Sequence, residues 1–250
     1  MIRYCKKFYF LKIYENWFEY KHTLKDTFSL NVYWNVKKQD TKKIPAVKSI
    51  SHTIELDLSQ EMDTIFANFS KQIRQQFKIA ENEGITTSFN GDADEFINFF
   101  NDFAAKKNSD LVSMLSKRRI EEMGENLKLS FAFYNGQILA AHSYLVDKET
   151  SIVRHHHSST KRLDDNYDRN LIGRANKYLT VKNIEYFKQE GIKTFDFGGY
   201  AADTKDESLI GINKYKLLFG GTVVTSFTYF TFSYWLFKKI SRLAGLSGQA

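Results

Sequence analysis

Cysteine and proline are almost absent from this sequence, which has one of each, Cys5 and Pro45, among 250 residues. A single cysteine excludes a disulfide framework and a cysteine-rich zinc site, and it predicts a reducing compartment. The scarcity of proline, together with an aromatic content of 16%, argues against a disordered chain. With 42% hydrophobic residues, the chain is long enough to bury a sizeable core, as one large domain or as two small ones.

The sequence also lacks the patterns of an export signal and of a membrane-spanning helix. Charges interrupt every apolar run in residues 1–17, and no small-residue cleavage site follows. The longest uncharged stretch, residues 217–237, has the length of a spanning helix, but Gly220-Gly221 interrupts it and six Ser or Thr residues follow. Its β-branched and aromatic composition predicts a buried strand instead. We therefore expect a cytoplasmic protein.

Charge of one sign is not gathered in a single block of the sequence. The net charge of +7 comes from 36 Lys and Arg against 29 Asp and Glu, spread widely along the chain. It fits a phosphate-bearing ligand, an anionic membrane face or RNA, and it does not choose among them. Residues 238–250 form a basic amphipathic tail, and the segment 234–246 could contact the inner membrane face peripherally. In that segment apolar and basic residues are interspersed: Trp235, Leu236, Ile240 and Leu243 with Lys238, Lys239 and Arg242.

The hydrophobic pattern from residue 52 onwards predicts an α/β arrangement of strands and helices. A strand at 52–58 precedes a helix at 60–83, which Ser59 would cap. A strand at 85–89, two helices, a meander of three strands, a long helix, a strand, a short amphipathic segment and a terminal strand region follow. The two helices are expected at 92–107 and 110–124, and the three strands of the meander at 127–134, 137–147 and 150–158. The long helix is expected at 169–189, the next strand at 193–197, the amphipathic segment at 209–219, and the terminal strand region after it, up to residue 237. Their order predicts a mixed sheet with helices on both faces.

Two glycine pairs bound the stretch that organises the rest of the domain. Gly198-Gly199 ends the strand at 193–197, and Gly220-Gly221 follows the amphipathic segment. A glycine pair at the end of a strand permits a positive φ or leaves room for a ligand against the backbone. Two tight turns in an ordinary domain remain an alternative. On the first interpretation, Gly198 and Gly199 bind substrate.

The start of the long helix, residues 169–176, is a candidate phosphate site. A helix N-terminus exposes unpaired N–H groups and carries a partial positive charge, so it favours anions. Gly173 would let a phosphate approach the backbone, and Arg169 and Arg174 would neutralise its charge. The run reads Arg169, Asn170, Leu171, Ile172, Gly173, Arg174, Ala175 and Asn176.

This run resembles the pyrophosphate-binding motif of the GNAT acyltransferase superfamily. That motif has Gln or Arg first, then two residues, Gly, any residue, and Gly or Ala. Here Asn170 departs from the first position, whereas Gly173 and Ala175 match. The stretch 176–221, with FDFGG and a later FGG, narrows the resemblance to FemAB-like proteins, the peptidoglycan-bridge aminoacyltransferases and their single-domain relatives. The resemblance covers about 53–237.

The resemblance implies a GNAT-like fold, with a mostly antiparallel sheet that is splayed in the middle. It implies that residues 1–52 are an extension or the remnant of a first GNAT-like half. It also implies direct acyl transfer from a thioester or an aminoacyl ester to an amine. Acyl-CoA would then be bound by residues 169–176, and Val153–His155 would flank the splay and bond the acyl group.

Three consecutive histidines, His155, His156 and His157, lie on a predicted strand, with His142 on the strand before it. Strand alternation would place His155 and His157 on one face and His156 on the other. Because no third ligand is apparent nearby, we expect no metal. His155 or His157 is a candidate general base, and His142 is a candidate substrate-binding residue. Sheet histidines with ordinary hydrogen bonds remain the alternative.

Asp196 and Lys216 complete the candidate site. Asp196 ends the strand beside the glycine pair, where it could take a proton, or it could be a structural carboxylate. Lys216 resembles the lysine of the family's F-K-x-x-F-G-G segment and could contact an anionic acceptor. Tyr215 stands where the family has Phe, so we expect it to pack rather than to donate a proton.

Three functions stay open. The first is an N-acyltransferase that moves an acyl group from acyl-CoA to an amine on a bacterial cell-envelope or polysaccharide precursor. The second uses aminoacyl-tRNA, although the chain has room for one full GNAT-like half and shows no long heptad segment. The third is a catalytically inactive binding protein, because Asn170 departs from the motif. The sequence names neither the acyl group nor the acceptor.

Overall fold

The structure is a computed structural model that describes residues 1–8, 10–38, 46–107, 113–164 and 166–243, apart from the side chain of Arg242. These residues contain ten strands and seven α-helices, with a 3-10 helix at Leu24–Phe28. The strands are β1 (Ile2–Phe8), β2 (Leu11–Trp17), β3 (Leu30–Val36), β4 (Ala46–Asp57), β5 (Thr86–Phe89), β6 (Leu127–Tyr134), β7 (Gln137–Asp147), β8 (Ile152–Thr160), β9 (Thr194–Tyr200) and β10 (Thr222–Thr231). The helices are α1 (Met62–Asn68), α2 (Lys71–Asn82), α3 (Ala93–Lys107), α4 (Lys117–Met123), α5 (Arg169–Gln189), α6 (Glu207–Leu217) and α7 (Phe232–Leu243).

The chain divides into two compact units. The terminal unit consists of Met1–Thr53 and Val224–Ala250, and the central unit is Ile54–Val223. The central unit starts one residue after the predicted domain of 53–237 but ends earlier, because residues from Val224 onwards pack with the N-terminal residues. Whether the N-terminal residues are the remnant of a first GNAT-like half stays a prediction.

The central unit is built on a mixed sheet with the strand order β4-β9-β8-β7-β6-β5. Strands β5 to β8 pair antiparallel in sequence order, and β8 pairs parallel with β9. The predicted hairpin turn joins β6 to β7, with Asn135 at φ 49° and Gly136 at φ 75°. This φ > 0 at both turn residues is the geometry that Asn-Gly favours. The helix α5 lies against α2, β6 and β7. The predicted α/β class with a mixed sheet is confirmed.

The predicted helix at 60–83 is two helices in the structure. α1 ends at Asn68, and Ser70 caps α2 by accepting a hydrogen bond from the Ile73 amide at 3.3 Å. A serine side chain competes with the helix backbone for its amides, so it ends one helix and starts another. Ser59 does not cap a helix but donates to Asp57 Oδ1 at 2.6 Å. The apolar residues keep their three- and four-residue spacing across the break at residues 69–70, so the sequence pattern predicted a single helix.

The helix predicted at 110–124 is shorter in the structure. α4 begins after Ser116, whose side chain accepts from the Arg119 amide. The predicted start at Asp110 lies outside the described residues.

The terminal unit contains strands in the order β1-β2-β3-β10. β1 and β2 pair antiparallel, β2 and β3 pair parallel, and β3 and β10 pair antiparallel. The strand predicted to run to residue 237 stops at Thr231, and a helix follows. Thr231 Oγ1 accepts from the Tyr234 amide at 3.4 Å and donates to the Ser29 carbonyl at 2.7 Å, which satisfies the helix start. The aromatic composition of this segment therefore misled the strand prediction.

The positive charge belongs to the terminal unit. It has 14 Lys and Arg against 4 Asp and Glu, a formal charge of +10, whereas the central unit has 22 against 25, or −3. The positive charge, which is spread widely along the sequence, is therefore concentrated in one of the two units. Within the described ranges, no helix is both long enough and apolar enough to cross a bilayer.

Candidate functional site

β8 and β9 part beside a pocket in the central unit. Their parallel ladder has three registered pairs and ends at Arg154 opposite Asp196. Beyond that pair, β8 continues to Thr160 and β9 continues to Tyr200. A pocket of about 570 Å³ is lined there by both strands and by α5 and α6. The sheet is thus splayed next to Val153–His155, as the resemblance implied.

Asp196 holds the last registered pair together. Its side chain is fully buried, and Oδ2 accepts a hydrogen bond from Arg154 Nη1 at 2.6 Å. Oδ1 accepts from the Gly198 amide at 2.7 Å. Both carboxylate oxygens are therefore engaged, one by a cation and one by the turn that ends the strand. This geometry fits the structural alternative for Asp196 better than a role as proton acceptor.

The glycine pairs serve different local purposes. Gly198 has φ 84°, and a Cβ there would lie 3.2 Å from the His155 carbonyl oxygen. Gly220 has φ 76°, and a Cβ there would lie 2.9 Å from the Asn68 carbonyl oxygen. At Gly221 a Cβ would lie 2.7 Å from Ile54 Cγ2. Gly198 and Gly220 have the positive φ that was one of the two expectations for these pairs, whereas room for a ligand against the backbone stays a prediction.

Lys216 projects from α6 towards the end of β9. Its Nζ donates to the Gly199 carbonyl at 2.6 Å, and it lines the pocket. Burial and, to a smaller extent, the nearby Arg154 charge lower the pKa of Lys216 to about 8, although Asp196 opposes both effects. The side chain thus places a partly desolvated cation in the pocket, where it interacts more strongly with negative charge than it would in water.

A hydrogen-bond network connects α5 to Tyr215 on α6. Asn176 Nδ2 donates to the Tyr215 hydroxyl at 3.0 Å, and this hydroxyl lies 3.2 Å from Thr180 Oγ1. Thr180 Oγ1 in turn donates to the Asn176 carbonyl at 2.9 Å. Burial raises the pKa of Tyr215 to about 12. The expectation that Tyr215 only packs is incomplete, because its hydroxyl is part of a polar network at the pocket.

His142 lies beneath this network. Its Nε2 is 2.8 Å from Asn176 Oδ1 and its Nδ1 is 3.1 Å from the Tyr144 hydroxyl. Since an amide oxygen only accepts, Nε2 carries the proton and Nδ1 accepts from Tyr144. Burial lowers the pKa of His142 to about 4, although the bond to Asn176 opposes this. His142 is therefore neutral, and it orients Asn176 rather than lining the pocket itself.

His155 lines the pocket directly. Its ring stacks on Tyr144 with the centroids 4.8 Å apart, and Nε2 lies 3.1 Å from the His157 carbonyl oxygen. Because a carbonyl only accepts, Nε2 carries the proton and Nδ1 carries the lone pair. Burial lowers the pKa of His155 well below its usual value, and the neighbouring His142 and Lys216 add to this effect. His155 is a neutral imidazole beside the Lys216 cation.

His157 faces the other side of the sheet. The pairing of β7 with β8 shifts between Ser143, which faces His157, and Tyr144, which faces His155. A β-bulge at His156 inserts one residue and reverses the alternation beyond it. His157 packs on Phe100 of α3 and, with His156, lines a second pocket of about 280 Å³. The prediction that His155 and His157 share a face is wrong.

His157 is bonded on its own side of the sheet. Its Nδ1 lies 2.7 Å from Ser143 Oγ, and that hydroxyl also accepts from the His157 amide at 3.1 Å. Burial lowers the pKa of His157 to about 4. Among the residues that the structure describes, no three His, Cys, Asp or Glu side chains are gathered as a metal site would require.

The start of α5 is occupied by its own capping residue. The Asp168 carboxylate accepts from the Asn170 amide at 2.9 Å and from the Leu171 amide at 3.2 Å. These are two of the N–H groups that a diphosphate was expected to bind. A diphosphate at residues 169–176 would require the Asp168 carboxylate to move away. Binding of a donor by this run therefore stays a prediction.

The cations near α5 are arranged differently from the prediction. Arg174 donates to both carboxylate oxygens of Glu83, through Nε at 2.7 Å and Nη2 at 2.5 Å. Lys177 and Arg162 line the pocket. Burial lowers the pKa of Lys177, and the charges of Arg162 and Arg174 lower it further. The pocket thus has two basic side chains besides Lys216, and the sequence interpretation assigned neither.

The predicted site residues fall into three groups. Those that line the pocket are His155, Ile172, Gly173, Asn176 and Lys216. Those beside it in the supporting structure are His142, Val153, Ala175, Asp196, Gly198 and Gly199. Those that contact other parts of the central unit or its surface are His157, Arg169, Asn170, Leu171 and Arg174.

Sequence reasoning missed three residues that line the pocket: Arg162, Lys177 and Thr180. Arg154 was included in the range Val153–His155, but its hydrogen bond to Asp196 was not expected. Lys177 follows Gly173 and Thr180 follows Asn176, four residues further on in each case, so both could have been found from the same face of α5.

Neither a protein-family model nor a curated protein matches this chain. Several solved structures are similar to it. FemX has a TM-score of 0.65 at 10% sequence identity, covering 94% of this chain and 85% of FemX. The C-terminal domain of a protein described as lysylphosphatidylglycerol synthetase from Agrobacterium fabrum has a TM-score of 0.58 at 10% identity, covering 89% and 74%. L-PGS from Bacillus licheniformis has a TM-score of 0.57 at 11% identity, also covering 89% and 74%. The fold is thus FemX-like, as the resemblance implied.

Proposed function

We propose that the chain is a transferase that passes an acyl or aminoacyl group from an activated donor to an amine in the pocket of about 570 Å³. The observation that carries the proposal is the Lys216 cation, which lies in that pocket where β8 and β9 part. A cation at this position can stabilise the negative oxygen that forms when an amine attacks a carbonyl. The FemX-like fold supports the same class of reaction.

The proposed reaction is a direct attack in a ternary complex. The amine nitrogen bonds to the carbonyl carbon, and the carbon–oxygen or carbon–sulfur bond to the leaving group breaks. Lys216 stabilises the oxyanion, and His155 takes the proton of the amine at Nδ1 and returns it to the leaving oxygen or sulfur. Because its pKa is well below the usual value, His155 would hold this proton only briefly. Asp196 and Arg154 position the strand ends.

Two donors are compatible with the pocket, acyl-CoA and an aminoacyl-tRNA. Acyl-CoA fits the basic side chains of Arg162 and Lys177, which could bind its phosphates beside Gly173. An aminoacyl-tRNA is favoured by Asp168, because its carboxylate occupies amides that a diphosphate would need. The proposed acceptor is an amine on a cell-envelope or polysaccharide precursor, with Glu207 at the pocket attracting the ammonium form.

The function is tested by amine-dependent release of the leaving group. The full chain is incubated with acetyl-CoA or alanyl-tRNA and with amino sugars or lysine-containing peptides, and free thiol or free tRNA is measured. We expect release that requires both donor and amine, and we expect Lys216→Met to lower kcat by about 100-fold to 1000-fold. The matched control is Lys214→Met, since Lys214 is exposed on the same helix and does not line the pocket. Equal effects of the two variants, or no release from either donor, would leave a non-catalytic binding protein as the better account.

The pH dependence tests the role of Lys216 separately. With a pKa of about 8, Lys216 is charged below that pH and loses its charge as the pH rises through it. We therefore expect kcat to fall above about pH 8, and Lys216→Arg to remove this fall because arginine stays charged.

The donor is tested by substituting the capping residue. If the diphosphate of CoA binds at the start of α5, Asp168→Asn removes a competing negative charge and should raise the affinity for CoA. The affinity is measured by the shift in melting temperature with CoA and with CoA that lacks its 3′-phosphate. An unchanged shift, together with binding of tRNA that weakens steeply with salt, would support the aminoacyl-tRNA donor.

A further inference from the structure

The helix α7 turns apolar side chains towards solvent. Phe232, Leu236, Ile240 and Leu243 are exposed, at 53%, 43%, 56% and 89%. They recur at three- and four-residue spacings and therefore share one face of the helix. On the opposite side α7 buries Tyr234 and Ser241 at 9% and 5%. Tyr234 packs on the inside with Phe8 and Val32, so α7 is apolar on its inner face and also exposes an apolar face, whereas an ordinary surface helix exposes a polar one.

The 3-10 helix at Leu24–Phe28 lies beside α7 and also exposes apolar side chains. Ser233 Oγ of α7 lies 3.0 Å from the Thr27 carbonyl oxygen and 2.7 Å from the Ser29 carbonyl oxygen, so the two helices are neighbours. Leu24 is 72% exposed and Phe28 is 88% exposed. We call these two residues and the four on α7, together with the exposed Lys25 and Lys239, the apolar–basic surface.

Basic side chains accompany the apolar ones. Lys25 is exposed in the 3-10 helix, and Lys239 is exposed on α7. Lys239 Nζ lies 4.4 Å from the centre of the Trp235 ring, which stacks on Phe232. The terminal unit that carries this surface has a formal charge of +10. An exposed helix face with aliphatic, aromatic and lysine side chains is the pattern that lies in the interface of an anionic bilayer.

We infer that the apolar–basic surface binds an anionic membrane surface, with the side chains of α7 inserted among the lipid headgroups. The aliphatic residues Leu236, Ile240 and Leu243 decide between a membrane and a nucleic acid. RNA is bound by basic and aromatic side chains, and it has no apolar interior for branched aliphatic ones. The inference is independent of the proposed function, because no residue of the central unit carries it.

Sedimentation of the full chain with lipid vesicles tests the inference. The vesicles contain phosphatidylglycerol and phosphatidylcholine in equal parts, or phosphatidylcholine alone. We expect binding to the anionic vesicles, and the double variant Leu236→Gln/Ile240→Gln should weaken it by about ten-fold or more. The matched control is Ile79→Gln/Met114→Gln, which changes two exposed apolar residues of the central unit and should bind like the unchanged protein. Circular dichroism checks that all variants are folded.

A second double variant tests how much the lysine charges contribute to vesicle binding. Lys25→Glu/Lys239→Glu should weaken binding to the anionic vesicles by about five-fold for each lysine, and added salt should reduce the difference. The inference would be overturned by equal binding of the Leu236/Ile240 variant, by no binding to either vesicle, or by binding of tRNA that depends on the lysines and not on Leu236 and Ile240. A dimer that the Leu236/Ile240 variant converts to a monomer would also overturn it and assign the surface to a second copy.

Discussion

The terminal and central units differ in what they expose and in what they bury. Of the large apolar side chains that are more than half exposed in the described residues, seven of eight belong to the terminal unit. Both units fully bury polar groups, such as Asn31 and Thr231 in the terminal unit, but the fully buried His142 and Asp196 belong to the central unit. Exposed apolar surface favours contact with another phase or partner, whereas buried polar groups shape a site and require partners.

The unfolding of the terminal unit can be followed by itself, because the three tryptophans, Trp17, Trp34 and Trp235, all belong to that unit. Unfolding in urea followed by tryptophan fluorescence therefore reports on that unit, whereas far-ultraviolet circular dichroism reports on both. Agreement between the two signals would show that the units unfold together.

The largest effect is expected from the buried ion pair of the central unit. Asp196→Asn leaves Arg154 without its carboxylate, so the free energy of unfolding should fall by about 3–5 kcal/mol. The control is Lys21→Ala in the terminal unit, which removes an exposed pair with Glu19 whose atoms are 2.9 Å apart. Exposed pairs contribute little, so the control should cost well under about 1 kcal/mol. A loss for Asp196→Asn as small as that of the control would show that the pair is not a structural support.

A smaller effect is expected from pH. The pKa of His142 is about 4 in the folded chain, below the usual value of an unfolded histidine, so the unfolded state binds more protons between these values. The stability contributed by neutral His142 is therefore present above about pH 6.5 and is lost as the pH falls towards 4. Between pH 7 and pH 5 this loss is about 2 kcal/mol.

The matched measurement uses His142→Gln. His155, whose pKa His142 also lowers, stays well below the usual histidine value through its burial alone. The difference between the unfolding free energies at pH 7 and pH 5 should therefore shrink by about 2 kcal/mol in the variant. An unchanged difference would mean that His142 does not stay neutral in the folded central unit.

Effects of the same size or smaller are expected from two glycines of the central unit. Gly220→Ala places a Cβ 2.9 Å from the Asn68 carbonyl oxygen at a φ of 76°, so it should destabilise by about 2 kcal/mol. Gly211→Ala lies inside α6 with nothing within 4 Å of the new Cβ, so it should stabilise by about 0.5–1 kcal/mol. Urea unfolding followed by circular dichroism measures both changes. If the two variants change the stability in the same direction, the backbone account of Gly220 is wrong.

Several elements could be predicted because their signals are local. The Asn135-Gly136 turn, the bounds of β6, β7 and α5, and the positive φ of Gly198 each depend on a few adjacent residues. The parting of β8 and β9 came from a family resemblance, and the fold agrees with it. Lys216 was found in the same way, from its place before the second glycine pair.

Other elements could not be predicted, because neighbouring strands and helices decide them. The bulge at His156 depends on the register with Ser143 and Tyr144, and it moves His157 to the opposite face. The helix after Thr231 depends on hydrogen bonds to Ser29, about 200 residues away in the sequence. Composition alone does not contain such contacts.

The amino-acid sequence by itself determined the α/β class, the hairpin and glycine turns and the total charge, because periodicity, turn geometry and charge count are properties of short segments. Only the tertiary structure decided that the charge belongs to the terminal unit and that His155 and Lys216 share a pocket from which His157 is excluded. The physical reason is that charge partition, strand register and burial are relations between residues far apart in the chain, and they exist only after the chain has packed.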